Sequence, residues 1–156
     1  MMTASTQTRI NFLHGPAKRP EWARMIRLGG DRVAVLFEEL RKSVRKVDGI
    51  VERLHYSGRE AGWLVQYGVG GVELLTTRIS PGLLEVDIPL SPSDSESLLR
   101  MRSLSATIKD AIHASASQVA SNSIRLPVTN RRGVHSVASL VMAKSRLVAK
   151  AARPVH

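Results

Sequence analysis

Three of the six aromatic side chains fall close together in the sequence and could line a ligand pocket. They are Tyr56, Trp63 and Tyr67, and His55 and Arg78 belong to the same predicted sheet. Tyrosine and tryptophan join a large apolar surface to a hydrogen-bonding group, and such side chains often line pockets. The pattern predicts a pocket between sheet and helices for a small or anionic ligand. The alternative is that Trp63 anchors the core, with the tyrosine hydroxyls at its rim.

A second candidate site is the pair Arg131 and Arg132, at or just before the start of the last predicted helix. The N-terminal end of a helix carries positive partial charge and disfavours cations. A bound anion would resolve this conflict, so the pair is a candidate anion site. Exposed arginines screened by salt would resolve it equally well. At the other end, Lys144, Arg146 and Lys150 suit the negative helix terminus and require no ligand.

The sequence carries no pattern for catalysis or for a metal. The stretch Gly68-Val69-Gly70-Gly71 lacks the next glycine of a dinucleotide loop, because Glu73 stands there and a strand follows. The five histidines have no metal-binding spacing, and there is no cysteine. We expect no cofactor, no metal and no catalytic residue. An enzyme would need an acid-base pair assembled by folding, such as Glu52 or Glu60 with His55.

The positive charge lies at the two ends of the chain. The formal net charge is +10, yet residues 31–110 hold 11 basic and 12 acidic residues. Residues 111–156 hold seven basic residues and no acid. Basic segments can bind nucleic acid by releasing counterions from phosphates, and they also occur simply as solvated segments. Binding to nucleic acid through the basic ends is therefore an alternative function. A membrane surface or an acidic protein is a weaker one.

Composition indicates one folded domain. The chain has 156 residues, with 43% hydrophobic and 23% charged, which is typical of a globular protein. The absence of cysteine, of a signal peptide and of a long apolar run favours the cytoplasm and gives no support for a membrane. We predict a flexible basic tail over 1–20, a single α+β domain over 21–152 and a short tail over 153–156.

Apolar periodicity predicts the elements that would position these residues. Helices are expected over four stretches: 21–28, 31–47, 93–118 with a break near Ser103, and 133–150. Strands are expected over five stretches: 51–56, 61–68, 72–79, 83–90 and a short edge strand near 124–128. The predicted fold class is α+β, with a mostly antiparallel sheet of four or five strands, a β-meander, covered on one face by helices.

A resemblance to a known family rests on an order of motifs. The chain has Leu28-Gly29-Gly30, an amphipathic helix, LHYSGREAGWLVQY, a hairpin and ISPGLLEVDIPL, followed by a helical segment and a last strand and helix. In this order it resembles small bacterial α+β proteins of unknown function, similar in outline to YdhG-like and YjbR-like domains. The resemblance implies a compact α+β fold able to form a homodimer, and it brings no activity. The function predicted here is a noncatalytic binding module, with a nucleic-acid binder and an enzyme of unrecognised type as alternatives.

Overall fold

Residues 27–56, 63–116 and 123–152 are the part of the chain that the computed structural model describes. The predicted tails over 1–20 and 153–156 lie outside these residues. So does most of the predicted helix over 21–28, of which only the last two residues are described, and these are helical. The described elements comprise four helices and five strands.

The first helix, α1, spans Asp31–Val44 and ends three residues before the predicted end. Gly30 precedes it with a φ of 94°, a conformation that glycine adopts without strain. One side of the helix is buried, at spacings of three and four residues. The buried residues are Val33, Leu36, Phe37, Leu40 and Val44. This stripe belongs to the hydrophobic core, and α1 packs against the last helix and against the fourth strand of the sheet.

The sheet is a meander in which all neighbouring strands are antiparallel, in the order β1-β2-β3-β4-β5. Its strands are β1 Val51–Tyr56, β2 Trp63–Val69, β3 Val72–Ser80, β4 Leu83–Pro89 and β5 Ser123–Pro127. The predicted α+β class and antiparallel sheet are confirmed. The two outer strands are β1 and β5, and β5 is held to a neighbouring helix by a hydrogen bond from the Ser115 hydroxyl to the Ser123 carbonyl, 2.9 Å long.

The hairpin between β2 and β3 turns at Gly70 and Gly71, whose φ angles are 57° and 80°. Two consecutive positive φ angles are the signature of a type I′ turn, which matches the twist of antiparallel strands. The glycine cluster is therefore a hairpin turn. Just beyond it the register shifts, since Tyr67 pairs with Leu75 while Gly68 pairs with Glu73. One extra residue of β3 is accommodated there as a β-bulge.

After β4 the chain forms α2, Pro92–Leu99, and α3, Ala106–Ala116. The predicted helical stretch is thus broken where it was expected to be, around Ser103. A capping box begins α2, because the Ser91 hydroxyl accepts from the Asp94 N–H at 3.0 Å and the Asp94 carboxylate accepts from the Ser91 N–H at 3.3 Å. The last helix, α4, spans Arg131–Ala152 and packs against α1 and β3.

The two faces of the sheet differ in chemistry. The buried apolar side chains of the strands form one cluster with those of the helices. The opposite face carries a row of polar residues that pair across all five strands in register, namely Arg53, Gln66, Thr76, Asp87 and Arg125. Arg53 donates to Gln66 at 2.9 Å and Arg125 to Asp87 at 3.0 Å. The two arginines therefore each have a partner within the row, while the Thr76 hydroxyl donates to Glu73.

Lys144 departs from its sequence prediction. It lies in the middle of α4, only 3% exposed, and does not serve the helix terminus. Its ammonium group donates to the carbonyl oxygen of Glu73 at 2.9 Å and to that of Pro89. The lysine thus joins α4 to the bulge of β3 and to the end of β4. No helix among the described residues is long and apolar enough to cross a membrane.

Candidate functional site

The predicted aromatic pocket does not form around Tyr67. The Tyr67 side chain is completely buried, and its hydroxyl donates to the Glu52 carboxylate at 2.7 Å. Its ring is part of the hydrophobic core and its polar end is used inside the protein. Tyr67 therefore offers no surface to a ligand in this conformation. The alternative, in which Trp63 anchors the core with the tyrosine hydroxyls at its rim, stays a prediction, because the Trp63 side chain lies outside the described residues.

Glu52 is held by a second partner, Arg41 of α1. The guanidinium donates to the two carboxylate oxygens from Nε and Nη2, both at 2.9 Å. Burial raises the pKa of Glu52, but the hydrogen bonds from Arg41 and Tyr67 outweigh it and leave the pKa below its ordinary value. Burial, followed by the hydrogen bond to Glu52, raises the pKa of Tyr67. Glu52 is therefore a charged acceptor whose oxygens are held by Arg41 and Tyr67.

Arg78, another member of the predicted pocket, is not brought to Tyr67. Arg78 follows the buried Thr77 on β3, so it points to the opposite face of the sheet, across from Glu85 of β4. It is partly buried, and its Nε has no hydrogen-bond partner within the described part of the chain. For His55, Tyr56 and Trp63 the structure describes the backbone alone: the first pairs with Leu64, and the other two pair with each other.

The start of α4 separates the two predicted anion-binding arginines. The Asn130 side chain accepts a hydrogen bond from the Gly133 N–H at 2.8 Å, which caps the helix. Arg131 forms an ion pair with Glu39 of α1 at 3.0 Å. The carboxylate of Glu39 is therefore the counter-ion of Arg131, and no bound anion is needed there. Arg132, the next residue, is exposed and has no ion-pair partner among the described residues.

Arg132 lines a cleft between α4 and the connection that joins α2 to α3. The cleft has a volume of about 370 Å³ and is lined by Ser103, Ser105, Arg132, His135, Ser136 and Ser139. We call it the Arg132 cleft. Its lining holds four hydroxyl groups, a guanidinium and an imidazole, and it has no carboxylate. Such a set of donors suits an oxyanion.

Helical geometry supplies one wall of the Arg132 cleft. Residues 132, 135, 136 and 139 are related by spacings of three and four, so they share one face of α4. The buried side of the same helix carries Val134, Val137 and Val141. These valines fix the rotation of α4, and the polar stripe is turned away from the sheet.

The opposite wall is the connection between α2 and α3. Leu104 is buried in the core and anchors this connection, with Ser103 and Ser105 on either side of it. The Ser105 hydroxyl accepts from the Ile108 N–H at 3.3 Å, at the start of α3. Its own O–H proton remains free to donate. The wall is therefore attached to the core at one residue and presents two hydroxyls beside it.

The Arg132 cleft has donors but no catalytic arrangement. Within the described part of the chain, no hydrogen bond joins His135 to any of the four serine hydroxyls. Likewise, no group of three or more His, Asp or Glu side chains among the described residues could hold a metal ion. The arrangement can bind and orient an anion.

A second cavity, of about 430 Å³, lies between α3 and the β4-β5 edge, where Asp87 and Arg125 contribute the charge. Their side chains are joined by two hydrogen bonds, at 3.0 and 3.3 Å. This pairing neutralises both groups. A charged ligand would have to break it, so the cavity is a weaker candidate than the Arg132 cleft.

Of the Arg132 cleft, sequence reasoning found only Arg132. The available signal for the rest of its helical wall was the polar stripe that continues from Arg132 through His135, Ser136 and Ser139, on the side of α4 away from its buried valines. Ser103 and Ser105 carried no signal, because a connection between helices is polar in any case. Comparison with protein-family models, with curated proteins and with solved structures found no match. The resemblance to YdhG-like and YjbR-like domains remains a prediction.

Proposed function

We propose that this chain is a noncatalytic binding module that holds a small anion in the Arg132 cleft. The observation that carries the proposal is the contrast between two adjacent arginines. Arg131 is neutralised by Glu39 at 3.0 Å, whereas Arg132 lines a cleft that contains no acid. A cation beside hydrogen-bond donors and without a counter-ion attracts an anion.

The proposal moves the predicted binding site without changing the predicted class of function. A pocket around Tyr67 loses its support, because that side chain is buried and hydrogen-bonded to Glu52. The candidate anion site keeps one of its two arginines and gains His135 and four serines. An enzyme gains no support, since Glu52 is already occupied by Arg41 and Tyr67.

The test is a titration of the ¹⁵N-labelled full chain with inorganic phosphate, in which NMR spectra record the amide chemical shifts. We expect saturable shifts confined to residues 103–108 and 131–139. Arg132→Gln removes the saturable shifts, and Arg131→Gln, one residue away, retains them. Saturable shifts that persist in Arg132→Gln, or the absence of saturable shifts in the wild type, would show that the cleft is not an anion site.

A nucleic-acid binder remains a second candidate, because α4 carries five basic and no acidic residues over its 22 positions. Two of the five already have partners within the protein, since Arg131 pairs with Glu39 and the buried Lys144 donates to backbone carbonyls. Fluorescence anisotropy of labelled single- and double-stranded DNA and RNA against the full chain, over a salt series, tests this function. Binding that falls steeply with salt supports it, and no binding near physiological salt removes it.

A further inference from the structure

The hydroxyls of the Arg132 cleft come from both of its walls. Ser136 and Ser139 belong to the α4 wall, while Ser103 and Ser105 belong to the connection between α2 and α3. An anion between the walls would therefore receive hydrogen bonds from opposite directions, with Arg132 adding a charged donor. A planar carboxylate has two oxygens and is satisfied by one guanidinium. A tetrahedral phosphoryl group has three terminal oxygens and makes better use of donors on two sides.

The size of the cleft indicates a ligand larger than the phosphoryl group. Its volume of about 370 Å³ falls in the range of roughly 300 to 1,000 Å³ found for pockets that hold small organic molecules. The rest of the ligand would occupy space that inorganic phosphate leaves open.

The lining also indicates what the rest of the ligand is. It includes no phenylalanine, tyrosine, tryptophan or branched aliphatic side chain among the described residues. A nucleobase would find no large aromatic ring on which to stack, and an acyl chain would find no apolar wall. Serine hydroxyls both donate and accept, so they pair well with the hydroxyls of a polyol.

We propose that the ligand of the Arg132 cleft is a phosphate monoester of a small polyol, of the class of sugar phosphates. This inference rests on the proposed anion-binding function and specifies its ligand. The phosphoryl group lies between the walls, against Arg132 and His135 on one side and Ser105 on the other, and the polyol hydroxyls lie against the other three serines. Neither a nucleotide nor a simple carboxylate uses this lining as fully.

Isothermal titration calorimetry of the full chain tests the proposal with five probes, which are glucose 6-phosphate, inorganic phosphate, glucose, acetate and adenosine monophosphate. We expect glucose 6-phosphate to bind about tenfold more tightly than inorganic phosphate, because one or two additional hydrogen bonds form. Arg132→Gln weakens its binding about tenfold or more. Ser136→Ala weakens it about three- to tenfold. Ser145→Ala is the matched control, because the hydroxyl of Ser145 donates to the Met142 carbonyl of the same helix and lies outside the cleft.

The outcomes separate the two proposals. Equal affinity for inorganic phosphate and glucose 6-phosphate would overturn the polyol assignment and leave anion binding intact. Binding of adenosine monophosphate more tightly than glucose 6-phosphate, or binding of acetate alone, would also overturn the polyol assignment and leave anion binding intact. Weakening by Ser145→Ala equal to that by Ser136→Ala would overturn the assigned role of the serines. If none of the four anions binds, the proposed function fails together with the inference.

Discussion

The ammonium group of Lys144 donates a hydrogen bond to the backbone carbonyl of Glu73, 2.9 Å away and 71 residues earlier in the chain. Glu73 lies at the bulge of β3, where the register with β2 shifts. Bulges disrupt the regular hydrogen-bond ladder, and a disrupted carbonyl needs another donor. Lys144 supplies that donor and also binds the carbonyl of Pro89. A buried charge on α4 therefore completes the hydrogen bonding of two strand segments.

The first prediction concerns the alkaline pH dependence of stability. Burial lowers the pKa of Lys144 from 10.5 to about 8, so the unfolded chain binds more protons than the folded chain between these values. The unfolding free energy must then rise with pH over that range. Relative to Lys144→Met, wild-type stability should rise by about 2 kcal/mol from about pH 7 to about pH 9.5. Urea unfolding at several pH values measures this difference.

The control for this experiment is Lys150→Met, which removes an exposed lysine from the same helix. It should retain the rise with pH seen in the wild type. Identical pH profiles for wild type and Lys144→Met would contradict a lowered pKa at this lysine.

The second prediction separates Tyr67 from the binding site. Tyr67→Phe removes the hydroxyl that donates to Glu52 at 2.7 Å and leaves the ring in place. The unfolding free energy should fall by about 1 to 3 kcal/mol, since a hydrogen bond to a charged acceptor is lost. Phosphate affinity should not change. A large loss of phosphate affinity with unchanged stability would restore the sequence prediction of an aromatic ligand site.

The third prediction concerns the stability of the protein at acidic pH. The pKa of Glu52 is lowered in the folded protein, so its contribution to stability is present above its unfolded pKa. This contribution is lost as the pH falls through the lower folded pKa. Between about pH 5 and about pH 3, the unfolding free energy of the wild type should fall more steeply than that of Glu52→Gln. Thermal unfolding, monitored by circular dichroism, gives both slopes, and equal slopes would contradict a lowered pKa at Glu52.

The fourth prediction concerns the cap that positions Arg132. The Asn130 side chain accepts from the Gly133 N–H at 2.8 Å, and Asn130→Ala removes this acceptor. Loss of a helix cap costs about 1 kcal/mol, and fraying of the first turn of α4 should also weaken phosphate binding at the next turn. Asn130→Ser retains an acceptor oxygen without adding a charge and should behave like the wild type. Equal destabilisation by both variants would argue against capping.

The secondary structure could be predicted from the sequence in most places because its signals are local. The alternation of Leu84, Val86 and Ile88 predicts β4, and the two glycines at 70 and 71 predict the turn before β3. Several ends were placed differently: α1 ends three residues earlier than predicted, and α4 begins two residues earlier and ends two residues later. Terminal turns depend on capping contacts that periodicity does not contain.

The sequence by itself determined the elements, their order and the antiparallel meander, since apolar spacing and turn residues act over a few positions. Only the tertiary structure decided the chemistry of individual side chains. It paired Arg131 with Glu39 and left Arg132 in a cleft, it buried Tyr67 against Glu52, and it placed Lys144 in the core. Each outcome depends on a contact between residues distant in the chain. Such contacts leave no periodic trace, because burial and charge pairing are set by how the elements pack.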